Sequence, residues 1–136
     1  FLRDWRHVPV RLPFWLNPRI RLQESYVPVD DVQIYLNAAD VLVIPQIEAL
    51  NSGRIALGWT FGTVVVGHSA GVIGEMLRDQ DCPTFETSTP KALAGAIRRG
   101  LKQARKGKGK RLKRHANQRL CWSRVAESHV DMYRRV

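Results

Sequence analysis

Hydrophobic positions fall along this chain in two modes: short unbroken runs, and apolar residues repeating every three or four positions. The unbroken runs are VLVI, 41 to 44, closed by Pro45, and TVVVG, 63 to 67. Each reads as a strand buried on both faces, as in a parallel sheet. Between them, Ile55, Ala56, Trp59 and Thr60 recur at helical spacing from Asn51 or Ser52, and Gly62 ends that helix. An earlier helix lies in YVPVDDVQIYLNAAD, with Asp30 as its cap and Val32, Tyr35, Leu36 and Ala39 near one face. The turn HSAGVIGE leads into a short helix through Leu77, and a short strand is expected near 84 to 87. Thr89 caps an amphipathic helix with Leu93, Ala96, Ile97 and Leu101 on one side.

The ends of the chain are less regular. Residues 1 to 19 carry three prolines and two tryptophans without a clean period, and read as an irregular lead-in cut from a longer chain. IRLQES, 20 to 25, alternates as a strand would. The closing region is helical, with a break expected near Trp122-Ser123 and with Val125, Ala126, His129, Met132 and Tyr133 facing the core. Strand and helix alternating in this way predict an α/β fold, a Rossmann-like parallel sheet with helices on both faces. The predicted domain runs from residue 20 to residue 136.

Charge changes the picture more than composition does. The 136 residues carry a net charge of +10, which favours polyanions, anionic lipid or phosphorylated substrates. Eleven Lys or Arg and no acid lie between Arg98 and Arg119. The stretch KQARKGKGKRLKRH, 102 to 115, reads as a flexible loop because of Gly107 and Gly109. It is either a solvated surface or a patch for nucleic acid or an anionic membrane, and the scarcity of aromatics there disfavours nucleic acid. Cys82 and Cys121 stand far apart without metal-ligand spacing, and the four histidines form no HxH or HxxxH, so no metal site is expected. No apolar run is long enough to span a bilayer.

Candidate chemistry lies where strands give way to helices, since ligands of open parallel sheets sit beyond the carboxyl ends of the strands. A helix starting at Asn51-Ser52-Gly53 presents free backbone N–H groups and a positive dipole end. Gly53 admits close approach, Ser52 or Asn51 adds a donor, and Arg54 adds charge. An ordinary capped helix and a diphosphate seat are equally good readings of these residues. The segment is neither GxGxxG nor GxxxxGK[ST].

The order of elements carries a family resemblance. YVPVDDVQIYLNAADVLVIPQIEALNSGRIALGWTFGTVVVGHSAGVIGEML, together with the tail RLCWSRVAESHVDMYRRV, resembles the C-terminal, donor-binding half of GT-B glycosyltransferases of the family-4 group. The resemblance covers roughly residues 20 to 136. It implies transfer of a hexose from a UDP- or GDP-sugar, without a metal or other cofactor, to a glycan or lipid-linked acceptor in polysaccharide biosynthesis. The acceptor would be held mainly by an N-terminal domain of a longer chain, so the isolated chain is expected to be inactive. By position, the resemblance implies that Glu48 contacts donor sugar hydroxyls, that Asn51, Ser52 and Gly53 hold the diphosphate, and that Gly71, with His68 beside it, lines the donor cleft. Arg54 would stabilise charge on the leaving group. The family's second loop acid falls on Leu57 or Ala56, so no carboxylate holds the ribose there. A cytoplasmic location is expected, peripheral to the inner membrane if residues 98 to 119 meet lipid.

Overall fold

The computed structural model describes residues 17–46, 53–86 and 89–135. Among these are six helices and a three-stranded parallel sheet. In chain order the elements are α1 (Val29–Ala38), β1 (Val41–Ile44), α2 (Gly53–Phe61), β2 (Val64–His68), α3 (Gly71–Asp79), β3 (Thr84–Phe85), α4 (Pro90–Arg105), α5 (Lys108–Arg119) and α6 (Trp122–Arg134). The sheet order is β1-β2-β3, with Val41 opposite Val64 and Gly67 opposite Thr84. The α/β fold with a Rossmann-like parallel sheet, expected from the alternation of elements, is what forms.

β2 is the centre. All five of its residues are buried, and its valines are fully covered. Each such side chain contributes roughly 1.5–3 kcal/mol by leaving water. The pleat sends neighbours to opposite sides. Val65 and Gly67 face α2 and α3, where Ile55, Trp59, Ile73 and Leu77 form the larger core. Val66 faces the other way, onto Ala96 and Gly100 of α4. Helices therefore cover both faces. β1 is less enclosed than its sequence implied, with only Ile44 fully buried.

Helix ends follow local chemistry. Thr89 caps α4 by accepting the Ala92 amide N–H at 3.3 Å, as its sequence predicted. Gly62, at φ +80°, closes α2 in the left-handed region, and its amide donates to Trp59. The N-cap of α1 is Pro28, and Asp30 sits inside the first turn instead, where its charge still favours the positive end of the dipole. The buried Thr63 hydroxyl donates to the Leu36 carbonyl at 3.0 Å, and so fastens α1 to the start of β2.

Several expectations fail for identifiable reasons. Residues 20 to 25 form no strand, and Ile20 and Leu22 are exposed. Alternation alone supplies no neighbouring ladder to pair with. Tyr35 and Thr60 point to solvent, although Val32, Leu36, Ile55 and Trp59 turn inward as expected. β3 spans two residues. The stretch 102 to 115 is not a loop: α4 continues through Arg105, Gly107 turns the chain at φ +79°, and α5 begins at Lys108. Lys, Arg, Gln and Leu are strong helix formers, and Leu112 and Ala116, four apart, anchor α5 in the core. Finally, α6 starts at Trp122 after a Cys121 cap, and none of its residues is buried. The face with Val125, Ala126, His129, Met132 and Tyr133 meets no core.

α5 is seated by a backbone contact. A Cβ built on Gly109 would lie 2.0 Å from the Gly62 carbonyl oxygen, so the helix rests directly on the end of α2. Gly109→Ala is expected to destabilise the chain by about 1–3 kcal/mol in urea denaturation. Gly95→Ala, whose added methyl would meet only an Arg99 guanidinium nitrogen at 3.7 Å, is expected instead to stabilise by up to about 1 kcal/mol. Equal effects would contradict this seating.

The two cysteines are free thiols in different settings. Burial pushes the Cys82 thiol up, against the opposing influence of the Lys108 charge and the Trp59 indole. The Ser123 hydroxyl, 3.1 Å from Sγ, is the main cause that holds the Cys121 thiol down. A lowered thiol is thiolate at lower pH. Iodoacetamide should therefore modify Cys121 in the native chain, with a rate midpoint below that of an ordinary thiol, while Cys82 reacts only on unfolding. Mass mapping of the modified peptides distinguishes the two.

Candidate functional site

Parallel strands put all their carboxyl ends on one edge of the sheet, so the loops after β1, β2 and β3 open there together. α2, α3 and α4 each begin at that edge, with N–H groups that lack an intrahelical partner and positive dipole ends directed back toward it, and at α4 Thr89 takes up one of these groups. The candidate residues divide unevenly over these loops. Glu48, Asn51 and Ser52 lie outside the described residues. Gly53, Arg54, His68 and Gly71 are placed, and the first two share the start of α2 while the last two flank the start of α3.

Gly53 opens α2, and a Cβ there would meet nothing within 4 Å. Its backbone is reachable from outside. Arg54 is exposed, and its guanidinium donates to the Gln46 side-chain oxygen. Gln46 follows β1 and Arg54 begins α2, so this bond ties together the two ends flanking residues 47–52. Gln46 has no signal in the sequence that marks it for this role.

The β2–α3 loop is the better-defined part. His68 ends β2, largely buried, with its ring edge-on to Phe85 at 5.4 Å between centroids. Its Nδ1 accepts the Ala70 amide N–H at 3.1 Å. An accepting Nδ1 corresponds to the neutral tautomer that carries its proton on Nε2. One ring nitrogen is thus spent on shaping the loop, and Nε2 is the group left for a ligand. Gly71 begins α3 at φ +61°, where a side chain would cost about 1–2 kcal/mol. Space is open at its Cβ position too.

The loop is held from behind by residues that sequence reasoning did not single out. The Ser69 carbonyl accepts a hydrogen bond from the Arg78 guanidinium at 2.8 Å, and the Ser69 amide donates to the Phe85 carbonyl at 2.9 Å. Gly74 lies so close that a Cβ would fall 1.8 Å from the same Ser69 oxygen. The spacing of Gly74 and Arg78, four apart on one helix face, was the available signal. These contacts hold the Ser69 carbonyl against α3, and the Ser69 and Ala70 N–H groups are already spent on Phe85 and His68.

Among the described residues no group of three His, Cys, Asp or Glu side chains could hold a metal ion. No helix among them is long and apolar enough to cross a membrane. No family model, curated protein or solved structure matches the chain.

The packing behind the loop is testable. Gly74→Ala is expected to cost about 1–3 kcal/mol of stability and to displace the amide resonances of Ser69, Ala70 and Gly71. Arg78→Met should cost no more than about 1 kcal/mol, since its bond is solvent-exposed. Denaturation curves with amide spectra measure both. A neutral Gly74→Ala would show that the carbonyl is not pressed against α3.

Proposed function

We propose that this chain is the nucleotide-sugar-binding domain of a GT-B-type glycosyltransferase. The observation that supports this reading is the pair of helix starts at one sheet edge, at Gly53 and Gly71, each with open space at the glycine. Such an arrangement suits a diphosphate: backbone N–H groups converge on it, and the aligned dipoles favour its charge. The order of motifs along the sequence supports a UDP- or GDP-sugar as the source of that diphosphate.

In this proposal the diphosphate rests on the start of α2, with Asn51, Ser52 and Gly53 as its donors. Arg54 lies one residue further and adds positive charge as the sugar–phosphate bond breaks, and Glu48 holds the sugar hydroxyls. Gly71 and Nε2 of His68 line the opposite wall. The acceptor glycan or lipid-linked sugar is brought by a second domain, and its alignment with the donor supplies the remaining acceleration. The enzyme works in the cytoplasm on a hexose.

A thermal-shift titration with UDP, GDP, ADP and their sugars tests the proposal. One nucleotide series is expected to stabilise the chain, by about 2.7 kcal/mol at a hundred times its Kd, with the shift kept at high salt. Gly53→Asp should leave the unliganded chain as stable as before, since nothing crowds the position and a carboxylate suits the start of a helix. The same change should abolish the nucleotide shift by repelling the phosphate. A shift that survives Gly53→Asp would refute this seat, and stabilisation by every polyanion that disappears in salt would refute nucleotide selectivity.

A further inference from the structure

The sheet ends at β1, and the outer side of that strand is open. Among the described residues β1 pairs with β2 alone, and the Val64 amide donates to the Asp40 carbonyl at 3.3 Å. In a parallel ladder the N–H and C=O of one residue point to the same side, and alternate residues point to opposite sides. With the Asp40 carbonyl turned to β2, Leu42 and Ile44 turn there too. Val41 and Val43 therefore present their N–H and C=O groups outward. Among the described residues no backbone partner meets these four groups. Val41, Leu42 and Val43 are only half-buried. Edge strands are commonly blunted by a charge, a proline or a bulge, and VLVI carries no charge or proline within its four residues and pairs with β2 in an unbroken register.

α4 overhangs one face of this edge. A Cβ on Gly100 would touch Val66 of β2 at 2.9 Å and Val41 of β1 at 3.3 Å, so α4 lies over both strands. Arg99 donates to the Thr84 carbonyl at 2.8 Å and Gln103 to the Asp81 carbonyl at 2.7 Å, which marks the side of α4 turned to β3. At about 100° per residue, Ile97 and Leu101 lie on the other side, toward the open edge. Both are half-buried and belong to neither core cluster. Arg98 and Arg105 come next around the helix, exposed and about 10 Å apart along its axis. Among the described residues neither forms an ion pair.

We infer that the open edge of β1 takes up an extended acidic segment of a partner protein as a fourth strand. The outward groups of Val41 and Val43 supply the backbone ladder, and Ile97 and Leu101 cover apolar side chains of the added strand. Charge selects the occupant. Antiparallel pairing of β1 with the β1 of a second copy would set the two α4 helices side by side on one face of the joined sheet. Arg98 and Arg105 would then face the same cations of the other copy, in a chain of net charge +10. An acidic segment meets these arginines with the opposite sign. The inference is independent of what the carboxyl edge of the sheet binds.

Amide hydrogen exchange of the whole 136-residue chain, read by NMR, is the test. The probe is an acetylated and amidated heptapeptide with Val-Thr-Val at its centre and two Glu on each side. In the free chain the Val41 and Val43 amides should exchange about ten-fold or more faster than those of Leu42 and Ile44, which are bonded to β2. Saturating peptide should slow Val41 and Val43 by about ten-fold or more and leave Leu42 and Ile44 unchanged. N-methylation of the three central peptide residues removes their N–H groups and should abolish this protection. Arg98→Gln and Arg105→Gln should each weaken binding by about two- to five-fold at low salt, with unchanged melting, because both side chains are exposed. The same peptide with Lys in place of Glu should bind more weakly than any of these. No binding, binding without protection of Val41 and Val43, or equal binding of the N-methylated peptide would overturn the inference. So would protection of both amides in the free chain. If that protection rises with protein concentration, the edge belongs to a second copy; if it does not, the chain covers the edge itself.

Discussion

Burial of β2 on both faces is the constraint on which the rest of the structure depends. Its three valines are wholly covered, from one side by α2 and α3 and from the other by α4. Neither layer of helices could bury its apolar stripe without this strand between them. The parallel ladders to β1 and β3 fit the same arrangement, because parallel neighbours are joined through crossover helices, and these cover both faces of the strand. Even the contact of α5 with the Gly62 carbonyl depends on α2 ending where β2 begins.

From that one packing arrangement the molecule acquires two unlike edges. Parallel strands and antiparallel helices bring helix starts to the carboxyl edge and helix ends to the other. The carboxyl edge is where backbone N–H groups are exposed beside glycines with open space, at Gly53 and Gly71. The opposite edge receives the α4–α5 turn and its Lys and Arg side chains, of which Lys108 and Arg111 reach Asp81. The positive character of the first edge comes from the backbone and is short-ranged and directional. That of the second comes from side chains and is diffuse and screened by salt.

The β2–α3 loop shows how the core reaches into the candidate site. Gly74 and Arg78 belong to α3, whose buried side chains Ile73 and Leu77 pack under β2. The same helix thus packs the core with one set of residues and fixes the Ser69 carbonyl with another. His68 does likewise, with its ring on Phe85 and its Nδ1 on the Ala70 amide. Loop shape here is a consequence of core packing.

By itself the sequence determined β1, β2 and the helices between and after them, since unbroken Val and Ile runs and well-spaced apolar residues encode burial locally. It also determined the Thr89 cap and the Gly62 stop, where one side chain or one backbone conformation decides the outcome. Of the candidate site it marked Gly53 and Gly71 through loop position; it gave only a four-residue spacing for Gly74 and Arg78 and nothing for Gln46, because their roles exist only across a fold. Tertiary structure alone decided three matters. Residues 20 to 25 have alternation but no ladder to join, so they stay out of the sheet. Residues 108 to 119 form a helix despite two nearby glycines, because Leu112 and Ala116 find the core and Gly109 finds the Gly62 carbonyl. The apolar face of α6 has the period of a core helix, yet nothing in the described fold covers it. Periodicity records that a face is apolar, and only the arrangement of the other elements decides what it meets.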